Sequence, residues 1–174
     1  MNNSGNNILR KVIKMYNFNF CKISPSYFQA FPELVREADL KETRLYFGVC
    51  ININDNNCFI PFESNLHDHP YLRQHSQYLL PSSTRPNGGL NLEKCLIINE
   101  LQYVIPVPDP QIASSQYKKL IAEQEIVRNK LELYINKFVK ACEKKREDKE
   151  YIFKFSTLHQ FKEELGLIPL SSPL

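Results

Sequence analysis

No tryptophan occurs in the 174-residue chain, and glycine occurs only five times. Apolar runs are short as well: stretches such as 96–98 and 104–107 fall far below the roughly 18 residues needed to span a bilayer, which excludes a transmembrane helix. The cysteines, Cys21, Cys50, Cys58, Cys95 and Cys142, are odd in number, contain no CxxC pair and match no zinc template. Such a set fits reduced thiols, and a cytoplasmic protein is expected. GxSxG, a glycine-rich phosphate loop and a dinucleotide fingerprint are all missing. The enzyme classes that those motifs mark are therefore excluded, and no cofactor is expected.

What is present describes one ordinary soluble domain, 43% hydrophobic and 24% charged. A chain of this length buries about two-thirds of its unfolded surface, so its core requires neither disulfides nor a metal. The net charge of +3 is unevenly placed. Residues 1–115 carry ten charges of each sign, whereas residues 116–154 carry eleven basic and seven acidic side chains. A local excess of this kind suits a polyanionic partner, although a solvated helix face shows it too.

The opening MNNSGNNILRKVIK (1–14) reads as a disordered extension or arm. It lacks the apolar stretch and small-residue cleavage site of a secretory signal. Met15 precedes an alternating aromatic strand, YNFNFCKI (16–23), and is expected to be the natural start. Ser24 then caps a helix with Pro25 at its first position, which Pro32 should kink or shorten. LYFGVCINI (45–53), the turn at 54–57 and CFIPF (58–62) form a hairpin. Residues 63–92 read as a long irregular excursion, and such loops are usually functional or disordered. Residues 95–99 and 101–107 are two strands or one bent strand, stopped by Pro106, Pro108 and Pro110. From Ser115 a three-or-four period runs for about seven turns, as one helix or as two joined near Asn129. Residues 151–155 alternate as a last strand. Thr157 and Gln160 then form a capping box for a short helix ending at Gly166, and 168–174 is a tail. The order implies an α+β fold with a mainly antiparallel sheet.

Ser64 falls where the hairpin's second strand gives way to the long loop, a place where rigid backbone presents side chains to solvent. Glu63, His67, Asp68, His69, Arg73 and His75 surround it. A polar loop rich in surface histidines would look the same. The His67/His69 pair suits zinc only if His75 or an acid completes the set, and the pattern matches no metallohydrolase signature. Metal-free RNA cleavage needs no motif: the substrate's own 2′-hydroxyl attacks, and the protein supplies a base, an acid and a group that stabilises the charged transition state.

Three segments, MYNFNFCKISPSYFQAF, RLYFGVCININDNNCFIPFES and LIINELQYVIPVPDPQ, resemble the endoribonuclease toxins of type III toxin-antitoxin systems. The group is ToxN/AbiQ, and the likeness is to its TenpN-like branch. It implies a single toxin domain over residues 15–167, with a twisted antiparallel sheet and flanking helices of the MazF/Kid type. It further implies metal-independent cleavage of single-stranded RNA to cyclic phosphate and 5′-hydroxyl ends. Inhibition would come from direct binding of a small repeated RNA antitoxin in a closed complex, in defence against phage.

In that resemblance the family's active-site serine falls on Ser64. Its preceding threonine is replaced by Glu63, the proline usually after the serine by Asn65, and a lysine by Arg44. Arg44 is expected to stabilise the scissile phosphate, and Ser64 to position it or relay a proton. Glu63 or His67 would take the 2′-hydroxyl proton, and His69 or His75 would protonate the leaving oxygen. Lys118, Lys119, Arg128, Lys130, Lys137, Lys140, Lys144, Lys145 and Arg146 would hold RNA phosphates together with Arg73, with Tyr71 and Tyr78 available for base stacking. The rival readings are a non-catalytic RNA-binding or interaction module and a small metal-dependent hydrolase.

Overall fold

The computed structural model describes residues 18–37 and 47–168. Arg44, Met15, the 1–14 extension and the tail beyond Ile168 lie outside the described residues. Strand β1 (Asn19–Ile23) leads through Ser24, whose hydroxyl accepts from the Ser26 N–H, into α1 (Pro25–Ala30). Pro32 cannot continue that helix's hydrogen bonding and instead opens α2 (Pro32–Glu37), the interruption expected of it. The hairpin follows as β2 (Phe47–Ile53) and β3 (Asn56–Glu63). Its turn is only Asn54 and Asp55, both with positive φ, as a tight two-residue hairpin turn requires.

Residues 63–92 depart from the expected irregular excursion. They hold α3 (Pro70–His75), β4 (Gln77–Leu79) and β5 (Gly89–Asn91). The strands are three residues long, too short for a period-two pattern to register. Beyond a 3-10 turn at Leu92–Lys94 come β6 (Leu96–Ile97) and β7 (Val104–Pro106), two separate strands with a second 3-10 turn, Leu101–Tyr103, between them. Six of the seven described strands pair antiparallel in the order β4-β5-β3-β2-β1-β7, and β6 pairs off this path with β3. The free edge of β3 is divided: Cys58 and Phe59 pair with β6, whereas Phe62 and Glu63 pair with β5. Pro61, which has no N–H to donate, falls between the two partners.

The long periodic stretch is two helices, α4 (Ser114–Ala122) and α5 (Gln124–Glu143), which meet at Glu123 rather than near Asn129. Asn129 stays inside α5, because an exposed polar side chain does not interrupt a helix whose opposite face is well packed. Helix α5 buries Val127, Leu131, Tyr134, Ile135, Phe138 and Ala141 in one core with the sheet residues Val49, Ile51, Phe59 and Ile60. Arg128 donates to the carbonyl of Asn52 at 2.7 Å, and Lys130 donates to that of Arg73 at 3.0 Å. The helix thus bridges the end of β2 and the last turn of α3.

The expected strand at 151–155 does not form; that segment is a series of turns. Ile152 and Phe153 are both buried, which breaks the alternation that a strand would show. The Tyr134 hydroxyl donates to the Ile152 carbonyl and meets Ser156 Oγ, each at 3.0 Å, fixing the turns on α5. Ser156, not Thr157, caps the 3-10 helix Thr157–Phe161, accepting from the Leu158 N–H. The Thr157 hydroxyl is buried and donates inward to the carbonyls of Glu93 and Cys95, so no capping box forms. Gly166 takes positive φ at the close of the following turns.

Candidate active site and RNA-facing surface

The register Glu63↔Gly89 sets the geometry at the end of β3. Glu63, Gly89 and Asn91 lie on one face of the sheet, and the Asn91 side chain stands diagonally across from that of Glu63. Asn91 Nδ2 accordingly donates to Glu63 Oε1 at 3.1 Å. Lys94, brought back by the 3-10 turn, places its ammonium 3.1 Å from the same oxygen. The Asn91 side chain also accepts from the Glu93 N–H, capping the turn. Burial chiefly, with a contribution from Glu63 and opposition from Lys94, pushes the Glu93 carboxyl up to about 7. Two carboxylates, one ammonium and one amide therefore converge at Glu63, the residue before Ser64. Gly89 lets β5 lie close against β4, since a Cβ there would lie 2.2 Å from the Tyr78 carbonyl oxygen.

Ser64 itself is exposed, and its hydroxyl has no hydrogen bond to a described residue. The segment after it folds back over β4 and β5. The Leu66 N–H donates to the Asn87 carbonyl, and Gln77 Nε2 donates to that of His67. Asn87 bonds both Asn65 and Arg73, and Arg73 is ion-paired with Asp68 at 2.9 Å. Arg73 is thus part of the loop's scaffold. Among the described residues four buried side-chain polar atoms have no hydrogen-bond partner; three of them, His69 Nδ1, Arg73 Nε and Gln77 Oε1, belong to this segment.

The histidines gather with one another and with tyrosines rather than on the Ser64 hydroxyl. The His67 and His69 rings are 6.2 Å apart, His69 lies 5.2 Å from Tyr151, and His75 lies 4.5 Å from Tyr71. His75 Nδ1 is also 3.5 Å from Lys137 Nζ. Burial first, then Lys137 and Lys130, hold His75 below the usual imidazole range, which ill suits it to protonate a leaving oxygen at neutral pH. No three His, Cys, Asp or Glu side chains form a metal-ligand group among the described residues.

The basic residues divide by use. Lys118, Lys140, Lys144 and Lys145 are exposed, and Arg146 pairs with Glu150. Lys119 is also exposed, lies over the Tyr78 ring and donates to the Leu79 carbonyl. Arg128 and Lys130 are committed to backbone carbonyls, and burial lowers the Lys130 pKa. Tyr78 is not available for stacking: it is buried, and its hydroxyl donates to Glu123. Tyr71 remains 45% exposed.

Asn91, Glu93 and Lys94 escaped the sequence reading because the strand that delivers them is so short. The adjacent glycines at 88 and 89 are the signal that was present. In a chain so poor in glycine, such a pair marks a place where backbones approach closely.

The seven-stranded antiparallel sheet and its helices give this chain the fold of toxins from type III toxin-antitoxin systems. One solved structure with this fold is AbiQ, a lactococcal anti-phage endoribonuclease belonging to such a system. It superposes with a TM-score of 0.58 at 20% identity, over 87% of this chain and 98% of that one. A second comes from work on bacterial type III systems, with selective toxin inhibition by a non-coding RNA pseudoknot. It has a TM-score of 0.50 at 20% identity, over 86% of this chain and 90% of that one. No family model matches the sequence, and no curated protein matches it.

Proposed function

We propose that the chain is the endoribonuclease toxin of a type III toxin-antitoxin system, acting in the cytoplasm and in phage defence. The observation that carries the proposal is the shared fold with two structures from such systems over nearly the whole of both chains. Among the described residues no helix is long and apolar enough to cross a membrane.

The chemistry is metal-independent transesterification. The ribose 2′-oxygen attacks the adjacent phosphorus as its proton passes to a base. The 5′-oxygen leaves with a proton from an acid, giving a 2′,3′-cyclic phosphate and a 5′-hydroxyl. Ser64 positions the phosphate with its uncommitted hydroxyl. Lys94 joins Arg44 in stabilising the negative charge that develops on the phosphoryl oxygens. Glu63 or Glu93, held at the same strand end, accepts the 2′-hydroxyl proton in preference to His67, and His69 supplies the acid. A small repeated RNA antitoxin binds the toxin directly in a closed hetero-oligomer, with the exposed lysines of α4 and α5 against its phosphates.

Wild type and Ser64→Ala are to be compared on RNA in excess EDTA, with end-group analysis of the products. Wild type alone is expected to cleave, with Ser64→Ala reduced at least about a hundred-fold, the scale of losing one transition-state donor. Intact RNA with folded wild-type protein would refute the enzyme reading and leave a non-catalytic RNA-binding module.

A further inference from the structure

Five rings form a connected belt on the surface beyond Ser64. His67 meets His69, His69 meets Tyr151, Tyr151 meets Tyr71 at 6.3 Å, and Tyr71 meets His75. They come from two distant stretches of sequence, the loop with α3 and the turns after α5. Core packing does not explain them: Tyr71 and Tyr151 are 45% and 48% exposed, whereas Phe153, two residues from Tyr151, is fully buried. Contiguous exposed rings of this kind suit a partner surface better than scattered ones do.

The charges beside the belt identify the class of partner. Lys137 stands against His75, whereas Lys130 and Arg73 at the end of α3 are already engaged, by a backbone carbonyl and by Asp68. The nearby acids Asp68 and Glu150 are each neutralised by an arginine, Arg73 and Arg146. Rings with Lys137 beside them suit a strand whose bases stack while a phosphate meets the ammonium. A duplex keeps its base faces covered and cannot use such a surface. His67 is three residues from Ser64, at most about 11 Å along the chain, so the belt lies within reach of a strand engaged at Ser64.

We infer that His67, His69, Tyr151, Tyr71 and His75 form a stacking platform for unpaired bases of the substrate RNA flanking the cleaved phosphate. This rests on the ribonuclease reading above, and the experiment separates the two. Binding of a short unstructured RNA oligonucleotide is measured on the Ser64→Ala protein, alone and with Tyr151→Ala, Tyr71→Ala or Tyr151→Phe added. A duplex and an abasic ribose-phosphate strand of equal length serve as controls. Each alanine is expected to weaken binding of the unpaired RNA about ten-fold, within the range for loss of one base-stacking side chain. Tyr151→Phe should retain affinity, and the controls should not respond. On the active protein Tyr151→Ala should raise KM by a similar factor with little change in kcat.

Unchanged affinity in both alanine variants would overturn the platform while leaving the ribonuclease reading intact. Equal losses on the abasic strand would reduce the surface to a phosphate contact. Weakened binding with unchanged KM would move the platform to an inhibitory RNA and overturn its assignment to substrate. A parent protein that neither binds nor cleaves RNA would remove the ribonuclease reading itself.

Discussion

Glu63 and Ser64 are adjacent in the chain, yet their surroundings differ sharply. The serine faces solvent, and the glutamate is gripped by Asn91 and Lys94. Glu93, next to both partners, is the titratable group most altered by this arrangement among the acids of the site, with its pKa raised to about 7. A raised folded-state value favours folding while the carboxyl is protonated. That contribution is complete below the ordinary value of 4.5 and is lost as pH rises through 7. Relative to Glu93→Gln, wild type should therefore lose stability between those limits, by on the order of 1 kcal/mol after allowance for partial exposure. Chemical denaturation of both proteins across that range measures it, and parallel pH curves would show that Glu93 is not the group responsible.

At the scale of elements, the β4–β5 hairpin decides whether a site exists, because Asn91 and Lys94 reach Glu63 only through it. Gly89→Ala would put a methyl into the Tyr78 carbonyl, 2.2 Å away, and force β4 to move. A loss of about 1–3 kcal/mol in stability is expected, the range for overpacking, together with lower cleavage activity. Urea denaturation and the RNA cleavage assay report the two effects. The elements most readily read from sequence were those carrying strong local chemistry: Ser24-Pro25 at a helix start, Pro32 as an interruption, and the Asn-Asp turn between β2 and β3. Hidden elements were those specified by partners distant in sequence. The two short strands exist because Glu63 pairs with Gly89, and the strand expected at 151–155 is lost because Tyr134 draws it into turns. The same division explains the site: Ser64 was visible from its place after a strong strand, while Lys94 is delivered from thirty residues away.

Over the whole molecule the modest net charge of +3 understates the electrostatics, since the basic excess belongs to α4, α5 and the turns after them. RNA affinity should consequently fall steeply with salt, with log Kd against log salt rising by roughly 0.7 per phosphate neutralised on a single strand. Anisotropy titrations over a salt series test this, and a flat response would exclude the lysines as the main source of affinity. The divided edge of β3 has a different consequence, a mechanical one. Six registered pairs fasten β3 to β2, whereas two fasten it to β5, and the amide-free Pro61 marks the boundary. The β4–β5 end of the sheet is thus held to β3 by few ladder bonds and depends instead on its buried Leu80, Leu90 and Leu92 in the shared core, so loss of that packing would free it before the remaining strands part.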